Sequence, residues 1–573
     1  MNYAKSLATL LEEITKLPAN DIYPVIETPP EPKLGHLAFP CFRLAKEMKK
    51  APPAIAQEIS GNLMQSPPSW LAEAKATGPY VNIFLAKDVF AADTLDAVLN
   101  AKPGYTAAAT NKNRKIVMDY SSPNIAKPLH IGHLGSTVIG KAIDNIYSFL
   151  GFDVTSINHI GDWGTQFGKM ITAYKKWGSK EEIEKTEIDG LVKLYVKFHE
   201  EADTDSSLND EARSWVVKMQ NGDQESLALW QWFVDLSLRE YERSYKRLGI
   251  DFDLTLGESF YTDKMDAVAK SLADCGLLEE SEGAQIVDLK AYKMPPCLIL
   301  RSDGGTLYPT RDIAAAIYRY NTYNFEKCLY VTGNEQILHF AQWMKVVELM
   351  GHEWAKGLVH ISYGMLLFEE GKLSTRRGNV IKVEDLLDEA VSKTKAIIEE
   401  KNPNLANKDA VAEQVGIGAL VFGKLYTSRV KDTMFSWERM LNFDGETGPY
   451  VQYAHARCCS VLAKASGQEK QNEADLFTGL DGNHLTDDEA YAVLRLLYDF
   501  PAKVEESAEK YEPFLIARHM VALAQAYNAF YHNHIILVDD PAVRQARLAL
   551  TAAVKQMLAC GLGLLNIAAP EAM

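Results

Sequence analysis

Cysteine is scarce in this sequence, and its spacing limits what the protein can be. The chain has seven cysteines, and no two of them form a Cys-x-x-Cys pair. A disulfide framework and a zinc ribbon are therefore not indicated. We expect a cytoplasmic protein, in a reducing compartment, without structural zinc.

The sequence also lacks long apolar runs and an excess of basic residues. No apolar run reaches the roughly 20 residues that cross a bilayer, and Glu12 and Glu13 argue against a transit peptide. The net charge of −16 argues against a protein that coats nucleic acid indiscriminately, although a local basic patch can still bind a nucleic acid. We therefore expect no membrane partner and no DNA binding.

The patterning of the chain predicts several domains. Its 573 residues, 47% of them hydrophobic and 24% charged, are typical of about three or four globular domains. Residues 1–102 alternate strand-like and helical pieces and predict a small α+β domain. Residues 103–435 predict an α/β domain with a charged helical insertion at about 175–260, and residues 436–573 predict an all-α domain.

The stretch from Lys115 to Asp162 predicts a β-loop-α-β unit. Its β-leaning start leads through a Ser/Pro/Asn loop into a segment of helical period, which Gly151 ends before a second strand-like run. His130 and His133 lie three residues apart at the start of that helix, where free amides and the helix dipole suit a phosphate group. Two other interpretations stay open: a metal pair, which needs further ligands, and a pair of structural histidines.

The loop and the two histidines together resemble a known signature. SSPNIAKPLHIGHL is similar to the first signature of class I aminoacyl-tRNA synthetases, and its Ser-Pro-Asn-x-x-Lys part is typical of the arginyl-tRNA synthetase family. The resemblance implies that His130, Gly132 and His133 bind ATP and that the two histidines are catalytic. One residue departs from the family pattern, because Gly135 stands where arginine is usual.

A second stretch resembles the mobile Lys-Met-Ser-Lys-Ser loop of the same class. In Gly371–Asn379 the residues Lys372 and Ser374 match the first Lys and the Ser, which implies catalytic and ATP-binding roles. Thr375 occupies the second Lys position, so the resemblance implies that Lys127 supplies the missing charge, with Arg376 and Arg377 as alternatives. Met365, upstream of the loop, is also expected to bind ATP.

The resemblance implies an arginine pocket built from both halves of the α/β domain. A guanidinium is planar and permanently charged, with five donors, so its pocket needs a carboxylate and neutral acceptors. Asp312 and Tyr308 are expected to supply them. The full set of implied arginine-binding residues is Ser122, Pro123, Asn124, His133, Tyr308, Asp312 and Gln336.

The start of the all-α region resembles the tRNA-contacting segment of the family. The implied tRNA-binding residues are Gly445, Tyr450, Gln452, Tyr453 and Arg457. The N-terminal region resembles the family's domain at the outer corner of the tRNA, where Phe39 either stacks on a base or belongs to the core.

The fold implied is a multidomain α/β protein: a Rossmann-type parallel-sheet catalytic domain, a small α+β N-terminal domain and an all-α anticodon-binding bundle. The activity implied is arginine–tRNA ligation, with L-arginine, ATP with Mg²⁺ and tRNA-Arg as partners, no other metal, and a monomeric enzyme. Two alternatives are another class I synthetase, such as the cysteinyl enzyme, and a non-catalytic tRNA-binding paralogue.

Overall fold

The chain forms two compact units. The first unit comprises Met1–Pro103, Ala454–Phe500 and Ala522–Leu558, and the second comprises Gly104–Tyr453, Pro501–Val521 and Ala559–Met573. The computed structural model describes residues 2–29, 31–100, 111–301, 308–368, 381–468 and 480–573.

Strands occur throughout the first three quarters of the chain. In chain order they are β1 (Leu37–Pro40), β2 (Leu71–Thr77), β3 (Tyr80–Leu85), β4 (Lys115–Asp119), β5 (Asp153–Asn158), β6 (Leu254–Thr255), β7 (Glu279–Ser281), β8 (Ala284–Val287), β9 (Cys297–Leu300), β10 (Lys327–Gly333), β11 (Leu358–Tyr363), β12 (Leu366–Phe368) and β13 (Thr433–Phe435).

Helices make up most of the remainder. They are α1 (Tyr3–Thr15), α2 (Ala19–Ile22), α3 (Leu44–Met48), α4 (Pro52–Leu63), α5 (Lys87–Asn100), α6 (Ile131–Phe149), α7 (Thr165–Trp177), α8 (Lys180–Thr186), α9 (Ile188–Ala202), α10 (Ser207–Gln220), α11 (Gln224–Leu248), α12 (Met265–Asp274), α13 (Tyr308–Tyr323), α14 (Ile337–Leu349), α15 (Val383–Lys401), α16 (Lys408–Leu425), α17 (Trp437–Met440), α18 (Gly448–Gln468), α19 (Asp488–Lys510), α20 (Phe514–Asn533) and α21 (Pro541–Leu564). Within the described ranges, none of these helices is both long and apolar enough to span a membrane.

The first unit combines a small sheet with helices from both ends of the chain. Its strands form an antiparallel sheet in the order β1-β3-β2. The Tyr3 hydroxyl donates to Asp93 at 2.7 Å, and the backbone N–H of Tyr3 donates to the hydroxyl of Tyr498 at 3.1 Å. Phe39 is only 2% exposed. Its alternative role as core is therefore correct, and the base-stacking role is not.

The second unit is built on a five-stranded sheet in the order β11-β10-β4-β5-β6. The paired strands run parallel to one another. The chain goes from β4 to β5 on one side and later returns to β10 on the other, so the carboxyl ends of β4 and β10 flank a topological switch point, where open α/β sheets bind ligands. Helix α6 is fastened there, because the Ser136 hydroxyl donates to the Val331 carbonyl of β10 at 2.7 Å.

The predicted fold class is confirmed, with two local differences. Helices α8 to α11 form the expected insertion, but an antiparallel sheet of β7, β8 and β9 follows it. Its first hairpin turns at Glu282 and Gly283, whose φ values are +51° and +80°. The pattern around Tyr308 and Asp312 predicts a short strand that gives way to a helix after both residues. Helix α13 instead begins at Tyr308 and contains Asp312, since Pro309 fits the first turn of a helix.

Candidate active site

The loop after β4 is strained and tightly held. Three of its residues have positive φ values, which residues other than glycine rarely adopt: Ser121 (73°), Ser122 (50°) and Ala126 (62°). The backbone N–H of Ser121 donates to the Ser136 hydroxyl at 2.9 Å, and the Ser121 hydroxyl lies 2.7 Å from that of Tyr245. These bonds stabilise the loop in a backbone conformation that is unfavourable for its residues by themselves.

The next part of the loop is fixed against the turn after β5. The N–H of Gly161 donates to the Pro123 carbonyl at 2.9 Å, and the N–H of Ile125 donates to the Gly161 carbonyl at 3.1 Å. Asn124 is exposed, and a Cβ at position 161 would lie 2.2 Å from its Oδ1. Glycine is therefore required at 161 for the Asn124 side chain to lie where it does.

His130 and His133 form the first turn of α6. His130 is the N-cap residue, and its Nδ1 accepts the N–H of Gly132 at 3.1 Å. His133 Nδ1 accepts the N–H of His130 at 3.1 Å, and the two ring centroids are 3.8 Å apart. A Cβ at Gly132 would lie 2.8 Å from Cε1 of His130, so only glycine leaves room for this ring.

The chemistry of the two rings follows from these bonds. Burial lowers the pKa of His130, with a further contribution from Lys127. Burial, His130 and Lys127 together lower the pKa of His133 to about 3. Both rings are therefore neutral at pH 7, and because each Nδ1 accepts a hydrogen bond, each proton lies on Nε2. The turn thus offers two N–H donors beside the positive end of a helix.

The predicted arginine-binding side chains of the second half lie on α13 and just before α14. Tyr308 is 67% exposed at the start of α13, and Gln336 is exposed in the turn that precedes α14. The Asp312 carboxylate lies 2.6 Å from Nε2 of His339, a residue on α14. A histidine partner for Asp312 was not predicted. It orients one carboxylate oxygen and leaves the other for a ligand.

Two ion pairs support the site, one buried and one half-buried, and the sequence did not indicate the arginine of either pair. Nη1 of Arg319 lies 2.8 Å from Oδ2 of Asp119, and both side chains are almost fully buried. Oδ1 of Asp119 accepts the Ser122 hydroxyl at 2.9 Å. Arg311 pairs with Glu258 at 2.5 Å. Arg319 follows Asp312 by seven residues on one helix, and this spacing is the one available signal for it.

His159 shows that the two halves of the site converge. Burial lowers the pKa of this ring, whereas Asp119 and Asp312 both act to raise it. Its Nδ1 lies 3.1 Å from the Leu256 carbonyl. The electrostatic environment of this half-buried imidazole therefore includes a carboxylate from the end of β4 and another from α13.

The loop after β5 positions the Glu258 segment. Both oxygens of Asp162 accept bonds from Ser259, one from its N–H at 2.8 Å and one from its hydroxyl at 2.6 Å. A Cβ at Gly257 would lie 2.1 Å from Oδ2 of Asp162. Burial raises the pKa of Asp162, while the Ser259 bonds oppose that rise. Glycine at 257 lets the Glu258 segment close over this carboxylate.

The remaining residues predicted for ATP differ in their placement. Lys127 is exposed beside the histidine turn, and Met365 is 58% exposed after β11. The N–H of Met365 donates to Oδ1 of Asp432 at 2.8 Å. Lys372 and Ser374 lie outside the described residues.

The predicted tRNA-binding residues of the second unit are partly accessible. Gly445 has a φ of +106° in the loop before α18, Tyr450 is half-buried, and Tyr453 is 41% exposed. Gln452 is fully buried, and its amide donates to the carbonyls of Gln414 at 3.2 Å and Ala568 at 2.9 Å. The tRNA contact predicted for Gln452 is therefore replaced by a structural role.

Arg457 belongs to the first unit, where its contacts can be described separately. Its Nη1 donates to Oδ1 of Asn528 at 2.5 Å, and its guanidinium lies 5.1 Å from the ring centroid of Tyr531. This arrangement presents a cation beside an aromatic ring, as RNA-binding surfaces do.

Half of the ring nitrogens of the histidine turn are already engaged. Both Nδ1 atoms of His130 and His133 already accept hydrogen bonds. Among the described residues, the one group of three candidate ligands is Asp487, Glu489 and His534. Its members already contact one another or cap α19. All seven cysteines are free thiols.

Comparisons with known proteins agree with this geometry along the whole chain. The family described as "tRNA synthetases class I (R), catalytic domain" matches residues 94–437. The "Arginyl tRNA synthetase N terminal domain" family matches residues 1–85, and the "DALR anticodon binding domain" family matches residues 451–573.

Curated relatives and solved structures give the same result. The arginine–tRNA ligase of Halothermothrix orenii is 49% identical over 574 residues and covers 100% of both chains. That of Clostridioides difficile is 50% identical over 98% of each chain. The arginyl-tRNA synthetase structure from Thermus thermophilus aligns with a TM-score of 0.81 and 26% identity, covering 100% of both chains. The Plasmodium falciparum structure aligns with a TM-score of 0.78 and 25% identity, covering 100% of this chain and 99% of the other. The chain therefore belongs to the arginyl-tRNA synthetase family of class I aminoacyl-tRNA synthetases.

Proposed function

We propose that this chain is an arginine–tRNA ligase. It activates L-arginine with ATP to give arginyl-adenylate and pyrophosphate, and then transfers the arginyl group to the 2′-hydroxyl of the terminal adenosine of tRNA-Arg. The observation that carries this proposal is the neutral His130–His133 turn, whose two Nε2–H donors lie at the start of α6 beside the β4–β10 switch point.

The first step is a substitution at phosphorus that needs no general base. The substrate carboxylate is already the nucleophile, so it attacks the α-phosphorus of ATP, and pyrophosphate leaves. ATP enters as its Mg²⁺ complex. Fixed N–H donors stabilise the charge that develops on the phosphate oxygens and do not have to reorganise during the reaction. His130, Gly132 and His133 have this role, together with Lys127, Met365, Lys372 and Ser374.

Arginine selection rests on the carboxylates around α13. In the proposal, Asp312 receives the guanidinium through the oxygen that does not face His339, and Tyr308 accepts a further N–H. A site that leaves a buried polar group unpaired rejects analogues lacking the matching group by roughly 10⁴ to 10⁵. Lysine, with a point charge in place of a planar fork, is such an analogue. Ser122, Pro123, Asn124, His133 and Gln336 hold the α-amino and carboxylate groups.

The second step requires the tRNA to reach the adenylate. We propose that residues 436–573 bind the anticodon, that residues 1–102 bind the outer corner of the tRNA, and that residues 103–435 carry the catalysis. Tyr450 and Tyr453 supply rings for stacking, Arg457 supplies a cation, and the φ of +106° at Gly445 shapes the preceding loop. A monomer acting in the cytoplasm completes the proposal.

Arginine-dependent exchange of pyrophosphate into ATP tests the first step. We expect exchange with arginine, measured with and without total tRNA, and none with lysine or cysteine. Exchange that depends on cysteine would favour a different class I synthetase. Folded protein that supports no exchange under any of these conditions would favour a non-catalytic tRNA-binding paralogue.

A further inference from the structure

A lysine is buried beside the histidine turn, and the roles assigned above do not use it. Lys424 lies on α16 and is 3% exposed. Its ammonium donates to the carbonyl of Gly364 at 2.9 Å. Taking a charged ammonium out of water is costly unless its interactions repay the lost hydration, and a neutral carbonyl repays it less fully than a carboxylate does. This position therefore calls for a reason beyond packing.

The surroundings of Lys424 connect it to α6 through Tyr363. The ammonium lies 5.6 Å from the centroid of the Tyr363 ring, and the Tyr363 hydroxyl donates to the carbonyl of Gly132 at 3.1 Å. A Cβ at Gly135 would lie 2.8 Å from Cε2 of Tyr363 and 3.4 Å from Cε of Lys424. Glycine at position 135 is therefore what allows the ring and the lysine stem to lie against α6.

The backbone corner formed by Tyr363, Gly364 and Met365, which Lys424 contacts, is also confined by a second chain segment. A Cβ at Gly364 would lie 2.5 Å from the carbonyl carbon of Lys431, so the two chain segments cross in direct contact. The N–H of Gly364 donates to the Arg429 carbonyl at 2.8 Å, and the N–H of the next residue, Met365, donates to Asp432. The Gly364 carbonyl is thus the polar backbone group of this corner that faces α16, and Lys424 satisfies it.

We propose that Lys424 is a positioning residue for adenylate formation. Its ammonium fixes the corner formed by Tyr363, Gly364 and Met365, and through the Tyr363 hydroxyl it holds the His130–His133 turn in place. Lys424 touches no substrate itself. This inference rests on the function proposed above, because it assigns Lys424 to the ATP step of that reaction.

The charge of Lys424 provides a signature that packing alone would not give. Burial lowers the pKa of Lys424 to about 8, while the nearby Asp432 carboxylate opposes the shift. Burial raises the pKa of the other titratable group facing it, Tyr363, and His130 and His133 are already neutral. Raising the pH through about 8 therefore removes the Lys424 charge without changing these three side chains.

The direction in which stability changes with pH separates a positioning role of Lys424 from a role in packing alone. Because folding lowers the pKa of Lys424, the unfolded chain holds this proton more tightly, and the contribution of Lys424 to stability rises with pH above about 8. A positioning role predicts the opposite trend for the adenylation rate. Loss of rate without loss of stability above pH 8 thus points to Lys424 and not to unfolding.

The test is arginine-dependent pyrophosphate exchange by Lys424→Met and wild type, with tRNA present, from pH 7 to 9.5. Methionine keeps the stem and removes the charge. We expect kcat per active site to fall about tenfold at pH 7, as for one lost charge-assisted hydrogen bond, with a smaller change in the KM for arginine. We also expect the alkaline decline of the wild type to disappear, and the melting temperature to stay the same or rise. Lys408→Met, on the same helix but in an exposed pair with Glu399, serves as the matched control and should behave as wild type.

A second variant keeps the test decisive if Lys424→Met does not fold. Tyr363→Phe removes the hydroxyl that donates to Gly132 and should lower kcat in the same direction while it keeps the ring. The positioning role would be overturned by normal kcat together with an unchanged alkaline decline in Lys424→Met. If Lys424→Met does not fold, normal kcat in Tyr363→Phe would overturn it. In both cases, exchange by the wild type would still support the proposed function. Failure of the wild type to exchange would instead overturn the proposed function.

Discussion

Replacing Arg319 by methionine should destabilise the second unit, because it leaves Asp119 buried without its ion-pair partner. The two side chains are 1% and 5% exposed, and Nη1 of Arg319 lies 2.8 Å from Oδ2 of Asp119. Removing one partner of a buried pair costs about 3–5 kcal/mol, since the remaining charge is uncompensated. The loss should also loosen the loop after β4, because Oδ1 of Asp119 accepts the Ser122 hydroxyl.

The double variant Asp119→Asn/Arg319→Met should be much less affected than either single variant. It has no buried charge left, and replacing a whole buried pair by neutral groups is often nearly neutral. If each single change costs about 3–5 kcal/mol and the double change about 1 kcal/mol, the two sites are coupled by several kcal/mol.

Thermal melting of the four proteins measures this coupling. We expect each single variant to melt about 5–10 °C lower at pH 7.5 and the double variant to lie within about 3 °C of wild type. Arg213→Met is the control, because Arg213 is 72% exposed in its pair with Asp210, and such pairs add little. Single-variant losses that simply add in the double variant would refute the buried-pair account.

Three further changes test the substrate site. Asp312→Asn should raise the KM for arginine at least about a hundredfold and change the KM for ATP less than about threefold, because it removes a charge-assisted contact with the guanidinium alone. Steady-state exchange kinetics measure both constants. Unchanged arginine kinetics would exclude the assignment of Asp312. Lys127→Met should lower kcat more than it weakens binding of either substrate, and a pure binding defect would argue against its phosphate role. Gly257→Ala should reduce arginine binding, since the new Cβ would lie 2.1 Å from the Asp162 carboxylate; Gly276→Ala, with open space around it, is its control, although its φ of +67° carries a small backbone cost.

Local patterns in the sequence account for much of the fold. The β-loop-α-β unit was predictable because its strand, its helix and the glycine that ends the helix are consecutive in the chain, and β4, α6 and β5 follow that order. The hairpin of β7 and β8 was not predicted, because Glu282 occupies a turn position with positive φ where Asn, Asp or Gly is the usual signal. Glutamate at that position hides the turn from pattern reasoning.

The supporting contacts of the site could not be predicted, because they join residues far apart in the chain. Arg319 pairs with Asp119 across 200 positions, and no local pattern links the two. His339 and Asp312 lie on neighbouring helices whose packing the sequence does not specify. The contact between Lys424 and Gly364 has the same origin. The sequence motifs indicated which residues are expected to bind substrate. The residues that hold those side chains in place are determined by tertiary packing.

Attachment of labelled arginine to tRNA tests the central claim most directly. With purified protein, ATP, Mg²⁺ and total tRNA, the account predicts that arginine alone among arginine, lysine and cysteine becomes acid-precipitable. It also predicts that oxidising the terminal ribose of the tRNA abolishes the product, because the 2′-hydroxyl is the acceptor. Charging with lysine or cysteine, or no charging by folded protein that binds ATP, would contradict the account.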